Sequence, residues 1–567
     1  MWLSPTLSCT IAVFAICLYL LSKALLPTPL PGIPCDKKAA NRIFGDVPEM
    51  ISYVFRTRRI FCWLTSLTTR HSSPIVQVFI KPGAHPWVIL TDPFESQDLL
   101  QRRTKEFDRS SFFEELFGGI LPEQHIQFVS TDARFKTSRS LINHLMAPSF
   151  IAAVSAPEVY RSIATLVKVW RQKCDLAQGR PFHAHGDITY SALDAIFVSS
   201  FGLAEEESIT VRRLEALVAN PPDVPSDTNE PVPFPDGEIP PVFRAVLTLG
   251  ESGSLTQLSP FPVFTSWIVQ SLPYMRRATA TKNAYISSKI DECMPHMSST
   301  KPRSALHSVL LREKEIAAKQ GRAPRYYSRA ISDELFGFLL AGHDTTATTV
   351  AWGVKLLTAN PAVQDRLRSA LQKSFPLATS ECRAPTYSEL SNTTVPYLDA
   401  TVEEILRHAN SIAFVIRRAQ QDTSVLGYSI PKGTDVFLMA NGAGYLKPNM
   451  PLPSHCVRSP GANPSKAALS SLWDDSDIHT FDPERWLRPD GSFNSMAGPQ
   501  LAFGLGPRGC FGKRLALQAL KMQFALLVWE FVFSRVPEEF AGWDAVQKFA
   551  REPVDCYVKL ERVRLEA

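Results

Sequence analysis

The pattern of apolar and polar positions divides the chain into an apolar N-terminal stretch and a long, mainly helical remainder. Residues 1–22 carry no charge, and residues 11–21 are almost wholly apolar. About 20 residues at a rise of 1.5 Å cross the ~30 Å hydrocarbon core of a bilayer. The pattern therefore predicts one N-terminal transmembrane helix, with a membrane anchor at residues 1–26. A proline-rich hinge follows at residues 27–34, and no second stretch looks long enough to span.

Charges around the anchor predict its orientation. Basic residues follow the apolar stretch and none precedes it: Lys23, Lys37, Lys38 and Arg42. Because cytoplasmic flanks carry the excess of lysine and arginine, we expect a lumenal N-terminus and a cytosolic remainder. The sequon at Asn392 should then stay unglycosylated. The alternative is a cleaved signal peptide, for which the chain lacks a basic start and a clear cleavage site.

Beyond the hinge, residues 35–567 are interpreted as one catalytic domain. Apolar residues recur at three-and-four spacing in segments 187–202 and 331–359, which predicts two long helices. Short β signals lie towards both ends, at 75–80, 87–91 and 423–437. The predicted fold class is therefore mainly α with small β-sheets, an α+β arrangement.

Two segments interrupt this pattern and predict irregular insertions. Residues 220–241 are rich in proline and acidic residues and contain no basic residue. Residues 447–477 are rich in serine and proline. Neither composition suits a packed element, so both are predicted as loops.

Composition excludes several classes of protein. With 45% hydrophobic and 20% charged residues among 567, the chain can bury a large core and is not a disordered tail. A net charge of +5 is too balanced over this length to indicate nucleic-acid binding. Ten cysteines without a CxxC pair argue against a disulfide scaffold and a zinc ribbon.

The segment 503–512 (FGLGPRGCFG) carries the clearest chemical signal. Its glycines spell GxGxxG, but no βαβ unit follows so near the C-terminus, which argues against a dinucleotide site. The pattern Phe-x-x-Gly-x-Arg-x-Cys instead suits a thiolate held by a tight glycine loop. Backbone amides turned towards such a sulfur lower its pKa and tune any iron that it ligates.

At these residues the chain resembles the cytochrome P450 family of haem-thiolate monooxygenases. The resemblance covers nearly everything after the hinge, and it implies the cytochrome P450 fold and a haem b cofactor. It implies that Cys510 is the axial ligand of the haem iron. Phe503 would pack near the sulfur, and Arg508 would bind a haem propionate.

The segment 341–346 (AGHDTT) resembles the family's oxygen-activation motif on a long central helix. Ala341 and Gly342 leave room for a flat cofactor. Asp344 and Thr345 place an acid beside an alcohol, which can relay the protons that O–O cleavage needs; they are the predicted catalytic residues. The alternative for Thr345 is a hydroxyl bonded back to its own helix. His343 is interpreted as a partly exposed structural histidine.

Glu404 and Arg407 form an ExxR pair, three residues apart on one helix face. Such a pair is common by chance, and it gains weight from its place before Cys510. The resemblance adds Arg485, from the segment FDPERW, as the third member of a buried ion network that braces the cysteine loop. The implied role is structural, since removal of one partner would leave a buried charge unpaired.

Two further arginines are implied to hold the propionates. Arg139 lies where the family has Trp-x-x-x-Arg, but Phe135 replaces the tryptophan and has no N–H to donate. Arg417, just ahead of a predicted strand, is the second candidate, and Arg418 is its rival.

The segment 183–187 (HAHGD) imitates a metallohydrolase motif. The histidine that such enzymes need next is Ile188 here, so a metal site is not favoured. We expect Asp187 to cap the N-terminus of a helix instead.

The resemblance also implies activity, partners and location. We expect a monooxygenase of the endoplasmic reticulum membrane that inserts one atom of O2 into a lipophilic small molecule. Its electrons would come from NADPH through NADPH-cytochrome P450 reductase, with cytochrome b5 as a further candidate partner, and no nucleic acid is involved. One alternative is an oxygen-independent haem-thiolate isomerase or dehydratase, and a more distant one is a haem-binding membrane protein without activity.

Three surfaces are predicted to serve this activity. An apolar pocket wall is expected at Phe112, Phe113, Leu116 and Phe117. A second membrane-dipping surface is expected at residues 258–275. Basic contacts for the reductase are expected at Lys513, Arg514 and Lys521.

Overall fold

The structure, a computed structural model, describes residues 5–257, 259–299, 301–463 and 471–564. Helices dominate, as predicted. The α-helices are α1 Pro5–Leu25, α2 Val47–Thr57, α3 Ile60–Arg70, α4 Pro93–Gln101, α5 Phe112–Phe117, α6 Ala133–Ile142, α7 Pro148–Phe150, α8 Ala156–Ala177, α9 His185–Phe201, α10 Ile209–Ala219, α11 Pro241–Gln257, α12 Pro262–Ser271, α13 Pro273–Cys293, α14 Ala305–Lys319, α15 Arg329–Ala359, α16 Pro361–Ser374, α17 Pro376–Ser380, α18 Tyr387–Asn392, α19 Pro396–Ala409 and α20 Lys513–Glu530.

The strands form small sheets beside the helices. They are β1 Ile75–Val78, β2 Trp87–Leu90, β3 Phe107–Asp108, β4 Phe182–His183, β5 Phe414–Ala419, β6 Thr423–Val425, β7 Tyr428–Ile430, β8 Asp435–Met439, β9 Phe531–Ser534, β10 Ala545–Gln547, β11 Arg551–Pro553 and β12 Tyr557–Arg562. The largest sheet has the order β1-β2-β8-β5-β3, in which β2 and β8 are parallel and the other pairs are antiparallel. A sheet of order β4-β12-β9 and the hairpins β6–β7 and β10–β11 complete the strands of the described residues.

Helix α15 holds the centre of the molecule. It begins where the Ser328 hydroxyl accepts a hydrogen bond from Ile331 N, and it ends just before Pro361, whose ring cannot continue a helix. Its first half packs into one hydrophobic core and its second half into another. The segment 341–346 therefore lies where the two cores meet, which fixes its position in the fold.

Both predicted insertions lack regular strands or long helices where they are described. Residues 220–240 form no helix or strand, and α11 begins at Pro241. In the second insertion, the described residues contain one short 3-10 turn, while residues 464–470 lie outside the described part. This insertion is tied down, because Arg458 donates two hydrogen bonds to the Asp92 carboxylate at the start of α4.

The N-terminal region agrees with the prediction only in part. Helix α1 is present, but its described apolar portion, Cys9–Leu25, is shorter than a membrane span. By length and composition, the described segment that could cross a bilayer is instead Pro148–Ala177, in which the π-helical turn Ile151–Ser155 joins α7 to α8 and which the sequence analysis did not single out. This segment contributes the fully buried Leu166 and Trp170 to the core of the domain. The N-terminal transmembrane helix is therefore not confirmed and stays a prediction.

The predicted hinge is not a free linker. Leu30 and Ile33 are buried, and the Gln77 side chain of β1 binds both backbones: its amide donates to Leu30 O (2.9 Å) and Ile33 O (2.7 Å), and its carbonyl accepts from Leu30 N (2.7 Å). Packing of the domain thus begins within residues 27–34.

Candidate active site

The cysteine loop is a tight turn closed by backbone hydrogen bonds. Cys510 N donates to Phe503 O at 2.7 Å, and Gly509 N donates to Gly506 O at 3.0 Å. Gly506 has a φ of 70°, and a Cβ at this position would lie 2.0 Å from the Leu100 carbonyl oxygen. Only glycine allows the loop to lie this close to α4.

The Cys510 side chain is exposed within this loop. Protein atoms nevertheless surround the sulfur closely, and this burial raises the pKa of the thiol. The backbone N–H groups of Gly512 and Lys513 hydrogen-bond the sulfur and act in the opposite direction. A sulfur with two amide donors and one open side is suited to bind a metal as a thiolate.

The loop lies against the central helix. Phe511, the residue after Cys510, stacks on Phe338 of α15 with ring centroids 6.0 Å apart. Ala341, one turn further along α15, is exposed although most of the helix is buried. The sequence motifs at Cys510 and at residues 341–346 are therefore neighbours in space, beside open room.

Thr345 turns its hydroxyl towards its own helix. It donates a hydrogen bond to Ala341 O at 2.9 Å, and the oxygen is accessible. This hydrogen bond to the preceding helical turn is the structural alternative that the sequence analysis gave for Thr345. The geometry leaves the oxygen lone pairs free to accept a hydrogen bond from water in the open room.

One prediction for this segment needs correction, and another gains a second explanation. A Cβ on Gly342 would lie 2.8 Å from Ile196 Cδ1, so the close approach of α9 also favours glycine here, while its room for a cofactor stays a prediction. His343 is buried, not partly exposed, and its Nδ1 lies 2.6 Å from Leu339 O. Successive helix residues point about 100° apart, so only part of the motif can face one ligand.

Asp344 contacts the β10–β11 hairpin. Its side chain is hydrogen-bonded to Glu552, and Glu552 Oε2 lies 3.3 Å from Lys548 Nζ. Burial, followed by the negative charge of Glu552, raises the pKa of Asp344 to about 7, while Lys548 opposes this shift. Sequence analysis missed Glu552 and Lys548 because they lie in short strands far along the chain.

A cluster of buried arginines lies behind the cysteine loop. Arg508 Nη2 donates to Phe128 O at 2.8 Å, and Arg508 Nε lies 4.0 Å from Asp108 Oδ1. Burial lowers the pKa of Arg417 and Arg508 to about 10 and holds that of Arg109 well below its ordinary value, with repulsion from Arg508 adding to the effect at Arg109 and Arg417. This surplus of buried positive charge predicts an anionic ligand.

Unpaired donors in this cluster point to the same ligand. Arg109 Nε and Arg508 Nε and Nη1 are buried without a hydrogen bond to any described residue. Buried donors of this kind are rare in proteins unless a ligand or water satisfies them. Arg109 was not among the predicted residues. The only sequence signal for it was a cation just ahead of the apolar segment at α5.

Where the family has tryptophan, Phe135 stacks on an arginine side chain. The Arg508 guanidinium lies 4.1 Å from the ring centroid of Phe135, and the Arg139 guanidinium lies 4.3 Å from that of Phe511. Phe135 therefore positions an arginine by its ring face instead of donating a hydrogen bond.

The two candidate arginines of β5 face in opposite directions. Arg418 is bound by both carboxylate oxygens of Asp435, at 2.8 and 2.6 Å. Arg417 is buried, and its Nη2 lies 3.5 Å from Arg508 O. The arrangement favours Arg417 for the cluster. Arg417 lies inside β5, a strand that was not predicted, and just ahead of the predicted strand segment, where β6 begins at Thr423.

The ExxR pair is fully buried and its carboxylate is saturated. Glu404 accepts two hydrogen bonds from Arg407 (2.8 and 2.7 Å), one from Arg485 Nε (3.1 Å) and one from Trp486 Nε1 (2.9 Å). Although burial acts against it, hydrogen bonding by Arg407 holds the pKa of Glu404 well below its usual range. Arg407 also donates to backbone carbonyls of Tyr445, Ile478 and Thr480. The network thus joins α19 to the segment that leads to the cysteine loop.

The predicted apolar wall is helix α5, which contacts the large sheet on one side and the β10–β11 hairpin on the other. Phe112 and Leu116 are buried against the large sheet, so these two do not line a pocket as expected. Phe113 and Phe117 are only partly buried. Phe117 meets Phe549, at the tip of the β10–β11 hairpin, with ring centroids 5.1 Å apart.

Asp187 is not a helix cap. Helix α9 begins at His185, so Asp187 lies inside the first turn, where it accepts from Lys173 Nζ (2.7 Å) and Arg213 Nη2 (2.9 Å). His183 and His185 belong to no metal-type cluster among the described residues. Asp187, the last residue of this motif, is therefore part of a structural ion network with Lys173 and Arg213.

Comparison with known proteins decides the family. The family model for cytochrome P450 matches residues 56–447 and 470–553, on both sides of the second insertion. The chain belongs to the cytochrome P450 family. Its relatives include the cytochrome P450 monooxygenase TRI13 of Fusarium sporotrichioides, which is 35% identical over 98% of this chain and 99% of the relative. A cytochrome P450 monooxygenase of Pestalotiopsis microspora is 34% identical over 98% of both chains.

A solved structure shows the same fold. The crystal structure of the cytochrome P450DA heme domain superposes with a TM-score of 0.69 over 95% of this chain and 99% of that chain, at 17% sequence identity. This likeness supports the cytochrome P450 fold.

The residues present fit the cofactor of the family, a haem whose iron is ligated by cysteine. Cys510 offers an exposed sulfur beside α15. The unpaired guanidinium donors of Arg109 and Arg508 match the two carboxylates that a haem carries. Cysteine ligation and propionate binding thus have suitable residues in this structure.

Proposed function

We propose that this protein is a haem-thiolate monooxygenase that inserts one atom of O2 into a lipophilic small molecule, in secondary-metabolite or lipid biosynthesis. Hydroxylation, epoxidation and multistep oxidation are all within this chemistry. The observation that carries the proposal is the contact of the cysteine loop with α15 at Phe338, less than two helical turns before Asp344 and Thr345. Its fungal relatives are themselves cytochrome P450 monooxygenases.

Each residue has a separate task in this proposal. Bound haem supplies the activation of O2. Cys510 holds the iron, and Arg109, Arg139, Arg417 and Arg508 hold the propionates. Thr345 accepts a hydrogen bond from active-site water, and Asp344, with its pKa near 7, supplies protons to that water. Because Asp344 and Thr345 have different neighbours, water must carry the proton between them.

The nature of the lining favours a lipophilic substrate. Phe117 and Phe549 bring α5 and the β10–β11 hairpin together with an aromatic contact. Phe113 lies beside them on α5 and carries the Arg109 guanidinium 4.7 Å from its ring centroid. Mostly apolar walls with few polar groups are typical of sites for such ligands.

A membrane location is part of the proposal. Helix α12 and its flanks expose a run of large apolar side chains: Phe261, Val263, Phe264, Trp267, Ile268, Leu272 and Tyr274. The first residue of the predicted surface, Leu258, lies outside the described residues. Together with an anchor at residues 1–26 and a hinge at 27–34, this surface would hold the catalytic domain, 35–567, on the cytosolic face of the endoplasmic reticulum.

The reductase would dock on the side of the cysteine loop. Lys513 and Arg514 are exposed at the start of α20. Lys521 is engaged with Asp399 at 2.5 Å, which makes it the weakest of the three predicted contacts. NADPH-cytochrome P450 reductase is the proposed electron donor, with cytochrome b5 as a second.

Oxygen labelling tests the proposed reaction. The holoenzyme, reductase and NADPH are incubated with candidate lipophiles under isotopically labelled O2, and extracts are profiled by mass spectrometry. A monooxygenase gives NADPH-dependent products that carry one labelled oxygen atom per oxidation step. Products that form without O2 would overturn the proposal in favour of an isomerase or dehydratase. Cys382→Ser, at an exposed cysteine elsewhere, serves as a matched control for Cys510→Ser.

A further inference from the structure

The β10–β11 hairpin is fixed beside the central helix. Its backbone is anchored at both strands, since Gln547 N donates to Arg58 O and Arg551 N donates to Ser411 O, each at 2.8 Å. Trp352 of α15 donates from Nε1 to Arg551 O at 2.7 Å. The hairpin therefore holds its side chains at a defined place along α15.

Two charged side chains of the hairpin, Lys548 and Glu552, lie between solvent and Asp344. Glu552 is paired with Val546 in the strand register, and Lys548 lies two residues beyond Val546, which places both on one face. Their ion pair spans 3.3 Å, with Lys548 42% exposed and Glu552 15% exposed. Accessibility thus decreases from Lys548 to Glu552, and Asp344 is itself only partly exposed.

The contact between Asp344 and Glu552 is a contact between two carboxyl groups. A hydrogen bond between two carboxyl groups requires that one of them carry a proton. Lys548 stabilises the negative charge of Glu552, so the proton is placed on Asp344, which donates to Glu552. This single shared proton distinguishes the site from an ordinary salt bridge.

We propose that Glu552 is a positioning residue that shares a proton with Asp344 and returns protons to it from solvent beside Lys548. The inference rests on the proposed function. Asp344 gives its proton to active-site water and becomes a carboxylate. Glu552 takes a proton from solvent water and passes it across the hydrogen bond to Asp344. One proton moves inward, and both carboxyl groups return to their starting states.

Other titratable groups face this site without replacing Glu552. His343, on α15, is buried and bonded to Leu339 O, and burial lowers its pKa. His185, at the start of α9, also has its pKa lowered by burial. Glu251, on α11, acts on Lys548 and not directly on Asp344. Both histidines are therefore mainly neutral near neutral pH, and Glu552 and Lys548 dominate the charge at Asp344.

The test uses the holoenzyme with reductase, NADPH and O2, without an organic substrate. O2 then leaves as hydrogen peroxide, after taking up two electrons and two protons, or as two molecules of water, after taking up four of each. The measured quantity is the fraction of NADPH recovered as hydrogen peroxide across a range of pH. Reductase is kept at one saturating concentration for every protein and pH, since the rate of electron delivery also affects this ratio. In the wild type it should rise as the pH rises through about 7, because Asp344 loses its proton there.

Two hairpin variants should shift this curve in opposite directions. Glu552→Gln removes a negative neighbour and lowers the pKa of Asp344, which moves the rise to lower pH by about one unit or more. Lys548→Met leaves the Glu552 charge unpaired and moves the rise to higher pH. Glu539→Gln, at an exposed glutamate outside the hairpin, should follow the wild type. A structural defect would not shift the curve both ways.

The outcomes separate this inference from the proposed function. If the wild type has a thiolate-type haem and consumes NADPH, but both variants follow its pH curve or shift the same way, the role of Glu552 is refuted. If the wild type itself binds no such haem, the proposed function fails first. Infrared difference spectra give a readout without turnover: at neutral pH, the carboxylic acid band lost in Asp344→Asn should be shifted in Glu552→Gln. An unshifted band would contradict the shared proton.

Discussion

The two sides of the active site use carboxylates and cations in opposite ways. On the cysteine side, Glu404 is buried and accepts hydrogen bonds from fixed donors on Arg407, Arg485 and Trp486 and from the backbone N–H of Asp482. On the side of α15, Asp344 contacts a second carboxyl group, that of Glu552. Glu552 is paired with Lys548, which is exposed to solvent. Saturation lowers the pKa of Glu404 and fixes its charge, while the shared site raises the pKa of Asp344 into the range where it can exchange protons. Carboxylates paired with cations thus brace the cysteine loop at Glu404, and they hold an exchangeable proton at Asp344 and Glu552. We call these two sites the brace and the proton store.

Breaking the brace should have the largest effect. Glu404→Ala leaves the Arg407 charge buried and unpaired, which typically costs about 3–5 kcal/mol of folding free energy. We expect little or no haem-loaded protein, as measured by haem content and by denaturant unfolding. Glu484→Ala removes an exposed pair with Arg366 and should cost less than about 1 kcal/mol. Normal haem loading in Glu404→Ala would show that the network is not a brace.

Removing the proton store should change how stability depends on pH. The pKa of Asp344 is raised from 3.8 to about 7 in the folded state. The folded protein therefore holds a proton that the unfolded chain loses, and the wild type should lose stability as the pH rises from about 4 to about 7. Asp344→Asn has no titrating group at this position, so its stability should not fall over this pH range for this reason. The difference between the two proteins should grow over this window by at most about 4 kcal/mol, at about 1.4 kcal/mol for each pKa unit.

Unfolding by urea at about pH 5 and about pH 8 measures this difference. Asp344→Asn should gain stability relative to the wild type at the higher pH. Parallel behaviour of the two proteins would mean that Asp344 titrates normally, and the contrast with Glu404 would then disappear.

Removing the Thr345 hydroxyl should impair proton delivery without affecting haem binding. Thr345→Ala should keep its haem, because among the described residues Thr345 bonds only within its own helix. Product formed per NADPH should fall about tenfold while hydrogen peroxide accumulates, a modest part of the 10²–10⁴-fold that proton transfer by a positioned group can contribute. Thr358→Ala is a matched control, since Thr358 makes the same type of bond to Val354 O on α15. Unchanged coupling in Thr345→Ala would contradict the relay.

The smallest effect is expected at the surface. Lys513→Glu should slow electron delivery by the reductase several-fold at low salt, and the difference should shrink as ionic strength rises, because exposed charges are screened within about 10 Å. The haem spectrum should be unchanged. A rate that does not depend on salt in either protein would refute docking by charge.

The brace and the cysteine loop could be predicted from sequence because their residues lie in short motifs. Cys510, Phe503 and Gly506 are nearly contiguous, and a glycine loop that ends in cysteine is rare by chance. The central helix was predicted within two residues at its start, since its apolar spacing runs unbroken from Ile331 to Ala359.

The proton store could not be predicted, because its parts meet only in the fold. Glu552 and Lys548 belong to three-residue strands and their turn, which are too short to show alternation. Arg109 carries no motif, and its role follows from burial beside Arg417 and Arg508. The close approach of α9 to Gly342 could not be predicted either, because spacing along a helix does not show which neighbouring helix approaches it.

The carbon monoxide spectrum of the reduced protein tests the central claim most directly. The wild type and Cys382→Ser should show the strongly red-shifted Soret band of thiolate ligation, and Cys510→Ser should not. A wild type with a histidine-type spectrum, or a Cys510→Ser variant that keeps the thiolate band, would contradict the assignment of Cys510 and the account built on it.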